Sequence, residues 1–258
     1  MHAHARDMMC AIIPAHNEAQ QIGSVLEGVR RFLTHILVID DGSQDRTAEE
    51  ARRAGAHCLR HNRQLGKGHA LRTGFTWARN AGFETLITLD GDGQHDPSDI
   101  PRLVAAGKSA DLVLGYREFA LGRVPFLRAI GNRLSTATVS RLVGRPLRDS
   151  QCGFRWIRRG VLDRVSLQAE GFDIETELLI QAVRLGCRIV EVPIRTIYGP
   201  PGSDYRPIRD AIRFVLRCQR LLVNGSRRIG QPRIGGIPLE VGPDTRLNTR
   251  PCPIRARF

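Results

Sequence analysis

Two carboxylates stand one residue apart in Leu89-Asp90-Gly91-Asp92-Gly93-Gln94-His95-Asp96, with glycine between them. That spacing lets Asp90 and Asp92, joined by the neutral oxygen of Gln94, converge on one hard cation such as Mg2+ or Mn2+. A diphosphate brought beside two carboxylates without an ion would be strongly repelled. A cation bridging carboxylate and phosphate oxygens removes that repulsion and stabilises a departing diphosphate. The same residues also suit a solvated acidic turn, since Asp and Gly both favour turns.

A second acidic stretch is Val38-Ile39-Asp40-Asp41-Gly42-Ser43-Gln44-Asp45-Arg46-Thr47. A carboxylate at a strand end can accept hydrogen bonds from a base or a ribose, whereas helix capping accounts better for Asp45. Asn62 with Leu65-Gly66-Lys67-Gly68 resembles a phosphate-binding loop, but it lacks the Ser/Thr and the spacing of the P-loop. A plain loop before a helix is the other reading.

These clusters need elements to position them. Met9 to Pro14 reads as a short apolar strand, with Asn17 to Phe32 as the amphipathic helix after it. His35 to Asp40 is a second strand, and Asp45 caps a helix over Thr47 to Ala54. A third strand spans Ala56 to Arg60. Lys67 to Ala81 places Ala70, Leu71, Gly74, Phe75 and Ala78 on one helical face. Thr85 to Asp90 is a fourth strand, Pro97 starts another helix, and Asp111 to Gly115 is a fifth strand. This alternation predicts an α/β fold with a mostly parallel central sheet and helices on both faces. Ligands of such sheets lie beyond the carboxyl ends of strands. His16-Asn17-Glu18, Asp40-Asp41 and Asp90-Gly91-Asp92 all fall there.

Beyond the fifth strand, Arg117 to Arg148 is arginine-rich and loses strand character. Phe154 to Ile157 and Ile189 to Ile197 read as strands, with a helix between them near Ile174 to Leu185. Pro207 to Val223 reads as a last amphipathic helix, with Arg209, Arg213, Arg217 and Arg220 on one face. Gly225 to Phe258 combines glycine, proline and arginine with no apolar period and is expected to be a disordered basic tail.

The net charge of +13 is almost all arginine, because Lys67 and Lys108 are the only lysines. Such a balance suits anionic partners: nucleic acid, anionic lipid or phosphorylated substrates. No apolar run approaches the ~18 residues of a spanning helix, and no secretory signal precedes Asp7. The expected location is therefore the cytoplasm, with peripheral attachment to a membrane's cytosolic face open through the last helix. Six scattered cysteines show no paired spacing and are expected to be reduced.

Taken together, Ile13-Pro14-Ala15-His16-Asn17-Glu18, Val38-Ile39-Asp40-Asp41-Gly42-Ser43, Leu65-Gly66-Lys67-Gly68 and Leu89 to His95 resemble family-2 inverting glycosyltransferases in order and spacing. Asp149-Ser150-Gln151-Cys152-Gly153-Phe154-Arg155 and Glu191-Val192-Pro193-Ile194 extend the resemblance, which covers about 10–220. The subgroup it is most similar to is the dolichol- or polyprenyl-phosphate mannose synthases. The resemblance implies a nucleotide-diphospho-sugar transferase (GT-A type) fold in one domain over 1–224, with a nucleotide-binding part at about 9–116 and an acceptor part at about 117–224. It implies that Pro14, Ala15, His16, Glu18, Asp40, Asp41, Lys67 and Asp90 line the nucleotide site. Asp90, Asp92 and Gln94 would hold Mg2+ or Mn2+, with Asp92 catalytic, and Arg117 and Arg128 would take an acceptor phosphate. His16 stands where the subgroup usually has tyrosine. Gln151 to Trp156 differs by one residue from the Gln-x-x-Arg-Trp signature of processive synthases.

The expected donor is a nucleotide diphosphate sugar. A lipid-phosphate acceptor is already a nucleophile at neutral pH, because a monophosphate's second pKa is ~6. A hydroxyl acceptor on a metabolite or polysaccharide would need a general base, for which Glu175 and Asp149 are the candidates. Either carboxylate has the alternative of fixing a loop or pairing with arginine. A nucleotidyltransferase is disfavoured by the lack of a Gly-x-Gly-Thr-Arg loop after the first strand. A non-enzymatic nucleic-acid binder leaves the ordered carboxylates unexplained, and no nucleic-acid motif is present.

Overall fold

Side chains of a strand alternate between the two faces of its sheet. In β1 (Met9–Ala15), Met9, Ala11, Ile13 and Ala15 enter one buried layer while Cys10 and Ile12 enter the other. A sheet buried on both faces needs helices on both, and the chain supplies them. The computed structural model describes residues 8–117 and 126–197, with the backbone alone for 126–130. After β1 come α1 (Ile22–Arg30), β2 (His35–Asp40), α2 (Thr47–Arg53), β3 (His57–Arg60), α3 (Lys67–Asn80) and β4 (Thr85–Thr88). A 3-10 turn, Pro97–Asp99, leads into α4 (Ile100–Gly107) and β5 (Leu112–Arg117). The remaining elements are α5 (Phe126–Val143), β6 (Arg155–Arg158), α6 (Arg159–Leu162), α7 (Ile174–Arg184) and β7 (Ile189–Ile194).

The strands form one sheet in the order β3-β2-β1-β4-β6-β5-β7. All neighbours are parallel except β6, which runs antiparallel to both β4 and β5. One layer joins α1 and α4 to the sheet through Ile22, Val25, Leu26, Val29, Ile100 and Leu103. The other joins α3 and α7 through Ala70, Leu71, Phe75, Ala78, Leu178 and Leu179. The predicted mostly parallel α/β sheet is thus observed, with the antiparallel β6 as an addition, and the predicted apolar face of α3 is buried. Among the described residues Cys10, Cys58, Cys152 and Cys187 are free thiols. No described helix is long and apolar enough to cross a membrane.

Two boundaries differ from the sequence reading by three residues or more, and one helix was not foreseen, each for a local reason. The first helix begins at Ile22 rather than Asn17, because the amides of Asn17, Glu18 and Ala19 bond to Ser43, Thr47 and Asp45 on the next loop. The strand predicted to reach Ile197 ends at Ile194, beyond which Thr196 bridges His95 and the Ile197 amide donates to the Gln94 carbonyl. The third difference is α5, which the sequence did not reveal. Its buried positions include Gly131, Ser135, Thr136 and Val139 while Leu134 is exposed, so hydrophobic periodicity is misleading there. The helix predicted over Pro207 to Val223 and the tail from Gly225 lie outside the described residues.

Candidate active site

The carboxyl ends of β1, β2 and β4 point the same way because the three strands are parallel. The loops beyond them are sewn together. Asn17 accepts from the Gln44 amide and its own amide donates to Ser43 Oγ at 2.9 Å. The Glu18 amide donates to Thr47 Oγ1 at 2.8 Å, and the Ala19 amide to Asp45. Asp45 also accepts from the Thr47 amide, but the N-cap position is Arg46, so the cap expected at Asp45 stands one residue ahead of the helix. His16 Nδ1 donates to the Asp41 carbonyl at 2.9 Å, which leaves Nε2 to accept from Asn17 Nδ2. His16 and Glu18 are therefore held by two loops at once.

Asp40 and Asp41 are both buried. Asp40 accepts from the Ser43 amide at 2.9 Å and pairs with Arg60 at 3.2 Å. Asp41 faces His61 Nδ1 at 2.7 Å, the Leu65 amide at 2.9 Å and the Gly66 amide at 2.7 Å. Only 4% of Asp41 is exposed, so protein donors occupy most of what its carboxylate can offer. Through them it fixes the turn that precedes Lys67.

Lys67 opens α3 and carries its ammonium into the centre of the site, 2.6 Å from Asp90 and 2.7 Å from Glu175. Burial alone would push the Asp90 carboxyl up, but Lys67, His95 and Arg117 together hold it below the usual carboxylate range. Asp92 goes the other way: burial and the nearby Asp90 raise it. Burial, then Asp92, Asp45 and Asp90, push Glu18 up to about 7. Burial is the larger cause of both shifts, and the neighbouring carboxylates add a repulsion that bound cationic charge would relieve. Asp92 also accepts from the Gln94 amide at 3.0 Å, which sets the turn between them. His95 is buried and accepts the Asp90 amide on Nδ1, so that nitrogen serves the loop.

Across the sheet, Arg117 ends β5 and meets Asp149 edge-on, with Nε to Oδ2 at 2.7 Å and Nη2 to Oδ1 at 3.2 Å. The two residues expected to bind acceptor phosphate and to act as base are thus one ion pair. Glu175, the other base candidate, is paired with Lys67. Asp149 takes the alternative foreseen for it, pairing with arginine, whereas the cation beside Glu175 is a lysine. Arg128 lies in α5, where the backbone alone is described. Pro14 and Ala15 end β1 beside Ile39 and Asp40, and Gln94 is half-buried.

Sequence reasoning missed three residues. Arg155 is 1% exposed and donates to the carbonyls of Ser150, Cys152 and Glu175. Its signal was the Gln151 to Trp156 stretch, which differs by one residue from the Gln-x-x-Arg-Trp signature. Gly153 lies so close that a Cβ there would come within 3.0 Å of both Asp90 carboxylate oxygens and Lys67 Nζ. His61 follows β3 just as the acids follow β1, β2 and β4, a position that could have drawn notice.

Among the described residues no group of three or more His, Cys, Asp or Glu side chains forms a metal cage. Two carboxylates with an adjacent amide still fit Mg2+ or Mn2+, because such ions usually keep waters and share substrate phosphates.

Comparison with known proteins gives the chain's family. The family model described as glycosyl transferase family 2 matches residues 10–166. An undecaprenyl-phosphate mannosyltransferase of Micrococcus luteus is 33% identical over 206 residues, 75% of this chain and 85% of that protein. A polyprenol monophosphomannose synthase of Mycolicibacterium smegmatis is 33% identical over 198 residues, 71% of this chain and 75% of that one. The glucosyl-3-phosphoglycerate synthase of Mycobacterium tuberculosis, solved with Mn2+, UDP and glucosyl-3-phosphoglycerate, superposes with a TM-score of 0.66. It is 22% identical, covering 85% of this chain and 82% of its own, and so speaks to the fold alone. By the match to its model and by these relatives, the chain belongs to glycosyl transferase family 2.

Proposed function

We propose that the protein transfers a sugar from a nucleotide diphosphate donor to a polyprenyl-type lipid phosphate, with inversion at the anomeric carbon. The observation that carries this reading is the state of the two base candidates. Asp149 is engaged edge-on by Arg117, and Glu175 by Lys67. A hydroxyl acceptor would need one of them to take its proton, whereas a phosphate monoester arrives largely ionised. Names of relatives point the same way, since those of Micrococcus luteus and Mycolicibacterium smegmatis are polyprenyl-phosphate mannose enzymes.

Asp90, Asp92 and Gln94 would hold Mg2+ or Mn2+, which when bound neutralises the diphosphate and stabilises it as a leaving group. Lys67 supplies a second positive charge beside Asp90, at the start of a helix whose dipole also favours anions. Glu18, Asp40 and Asp41 shape the nucleoside end with Pro14, Ala15 and His16. Asp149 orients the Arg117 guanidinium, a planar fork suited to phosphate oxygens. Attack by the acceptor phosphate opposite the departing diphosphate inverts the sugar carbon. The acceptor places the reaction at a bilayer surface, with the protein attached peripherally.

The test is transfer from a panel of GDP- and UDP-sugars, with MgCl2 or MnCl2, onto farnesyl phosphate and onto farnesol. Product is expected with the phosphate only, and equal transfer to farnesol would overturn the proposal. In the same assay Arg117→Ala should raise the acceptor KM about tenfold or more, a charge-assisted contact amounting to ~1.5–3 kcal/mol. The donor KM should stay within about twofold, since Arg117 acts on the acceptor.

A further inference from the structure

His61 belongs to none of the acidic motifs, yet it is buried at the junction of three elements. Its Nδ1 donates to Asp41 Oδ1 at 2.7 Å, and its Nε2 lies 3.0 Å from Thr73 Oγ1. Its backbone amide donates to the Asp40 carbonyl at 2.9 Å. Asp41 follows β2, His61 follows β3, and Thr73 lies within α3. Asp41, His61 and Thr73 are all buried, so this chain of hydrogen bonds is a brace rather than a reacting group.

What the brace holds is the approach to Lys67. The Asp41 carboxylate accepts from the Leu65 and Gly66 amides, and the next residue is Lys67. Gly66 has φ +97°, and a Cβ there would lie 2.4 Å from the Glu170 carbonyl oxygen. The Gly68 amide donates to that same carbonyl at 2.9 Å. The turn is therefore gripped by Asp41 on one side and by Glu170 on the other. From it the Lys67 side chain reaches Asp90 and Glu175.

We infer that His61 is a positioning residue for the donor side of the site: bridging Asp41 and Thr73, it locks the Leu65–Gly66 turn that aims Lys67. This rests on the reading of the site as a nucleotide-sugar transferase. Without the ring, Asp41 loses the partner that fixes its carboxylate, and the turn loses its anchor. The far bond to Thr73 ties that anchor to the helix Lys67 begins.

The experiment measures binding of UDP and of GDP, each with MgCl2, by calorimetry, alongside donor and acceptor kinetics. His61→Phe fills the space and removes both hydrogen bonds, whereas His61→Asn retains a donor near the position of Nδ1. His61→Phe should lower donor kcat/KM about tenfold, and acceptor KM should stay within about twofold. His61→Asn should recover most of the loss. In a Lys67→Met background, adding His61→Phe should change donor kcat/KM by less than about twofold, since residues acting through one another are not additive. If His61→Phe does not fold, Thr73→Val removes the far bond alone and should cost about two- to threefold by the same readout. Equal losses in both backgrounds, or acceptor and donor constants falling together with thermal stability, would overturn the inference and leave a purely structural histidine. Wild type that binds nucleoside diphosphate beside an indistinguishable His61→Phe overturns the inference alone. Wild type that binds neither UDP nor GDP overturns the functional reading, and the inference with it.

Discussion

The first half of the sheet and the second half position their chemistry by different means. From β1 to β4 the chain repeats strand, loop and helix, and parallel register carries Ala15, Asp40 and the acids after β4 to one edge. Backbone direction does most of the positioning, and short hydrogen bonds between neighbouring loops finish it. From β5 to β7 the antiparallel strand β6 interrupts the repeat. There the site depends on long, buried side chains: Arg117 reaches Asp149, and Arg155 gathers the carbonyls of Ser150, Cys152 and Glu175. The two halves should therefore fail in different ways, one through its carboxylates and the other through its buried guanidinium.

The largest effect is expected in the second half. Arg155→Met keeps the aliphatic stem but leaves three buried carbonyls without their donor. An unsatisfied buried polar group costs about 1–3 kcal/mol, so the loss should reach on the order of 3–5 kcal/mol. Urea unfolding would measure it. If the halves are held separately, the surviving folded fraction should still gain thermal stability from nucleoside diphosphate with MgCl2. A loss below about 1 kcal/mol would show that Arg155 does not organise this half.

Asp92→Asn should act in the opposite manner, with little effect on folding and a large effect on turnover. Its carboxyl is raised by burial and by Asp90, so removing the charge relieves repulsion in the unliganded protein. Turnover should fall about 10²-fold or more, the scale of losing ~3 kcal/mol of transition-state stabilisation. Steady-state rates at saturating donor and metal would check it, and normal turnover would remove Asp92 from the mechanism.

The same contrast explains what could be read from the sequence. Strands β1, β2 and β4, helix α3 and the acids beyond them were legible because burial on two faces and local spacing follow from nearby residues. Asp149 and Glu175 were found as residues but not as partners of Arg117 and Lys67, since those pairings join positions far apart in the chain. Helix α5 was hidden by a buried face that includes glycine and hydroxyl side chains. Asp41 was read as a nucleoside contact. The turn at Leu65–Gly66 that occupies its carboxylate becomes visible only when β2 and α3 are brought together.

The smallest expected effect is a pH dependence that tests whether charge also secures the first half. Burial pushes the Asp41 carboxyl up, but hydrogen bonds from His61 and from the Leu65 and Gly66 amides outweigh it and hold the group below the usual range. A carboxyl more acidic when folded binds its proton more weakly in the folded state. The stability it contributes is present above the unfolded pKa of ~3.9 and lost as pH falls through the folded value. Asp41→Asn has no charge to titrate and offers the Leu65 and Gly66 amides one oxygen in place of two. At pH 7 the variant should therefore melt below the wild type, and the gap should close as pH falls below about 4, because only the wild type loses this contribution. Melting temperatures of both proteins taken from pH 7 down to about 3 would trace the gap. A gap that stays constant would mean that Asp41 holds the turn by shape and hydrogen bonding alone. In that case the first half would owe its order to register rather than to charge, and the contrast with the Arg155 half would sharpen.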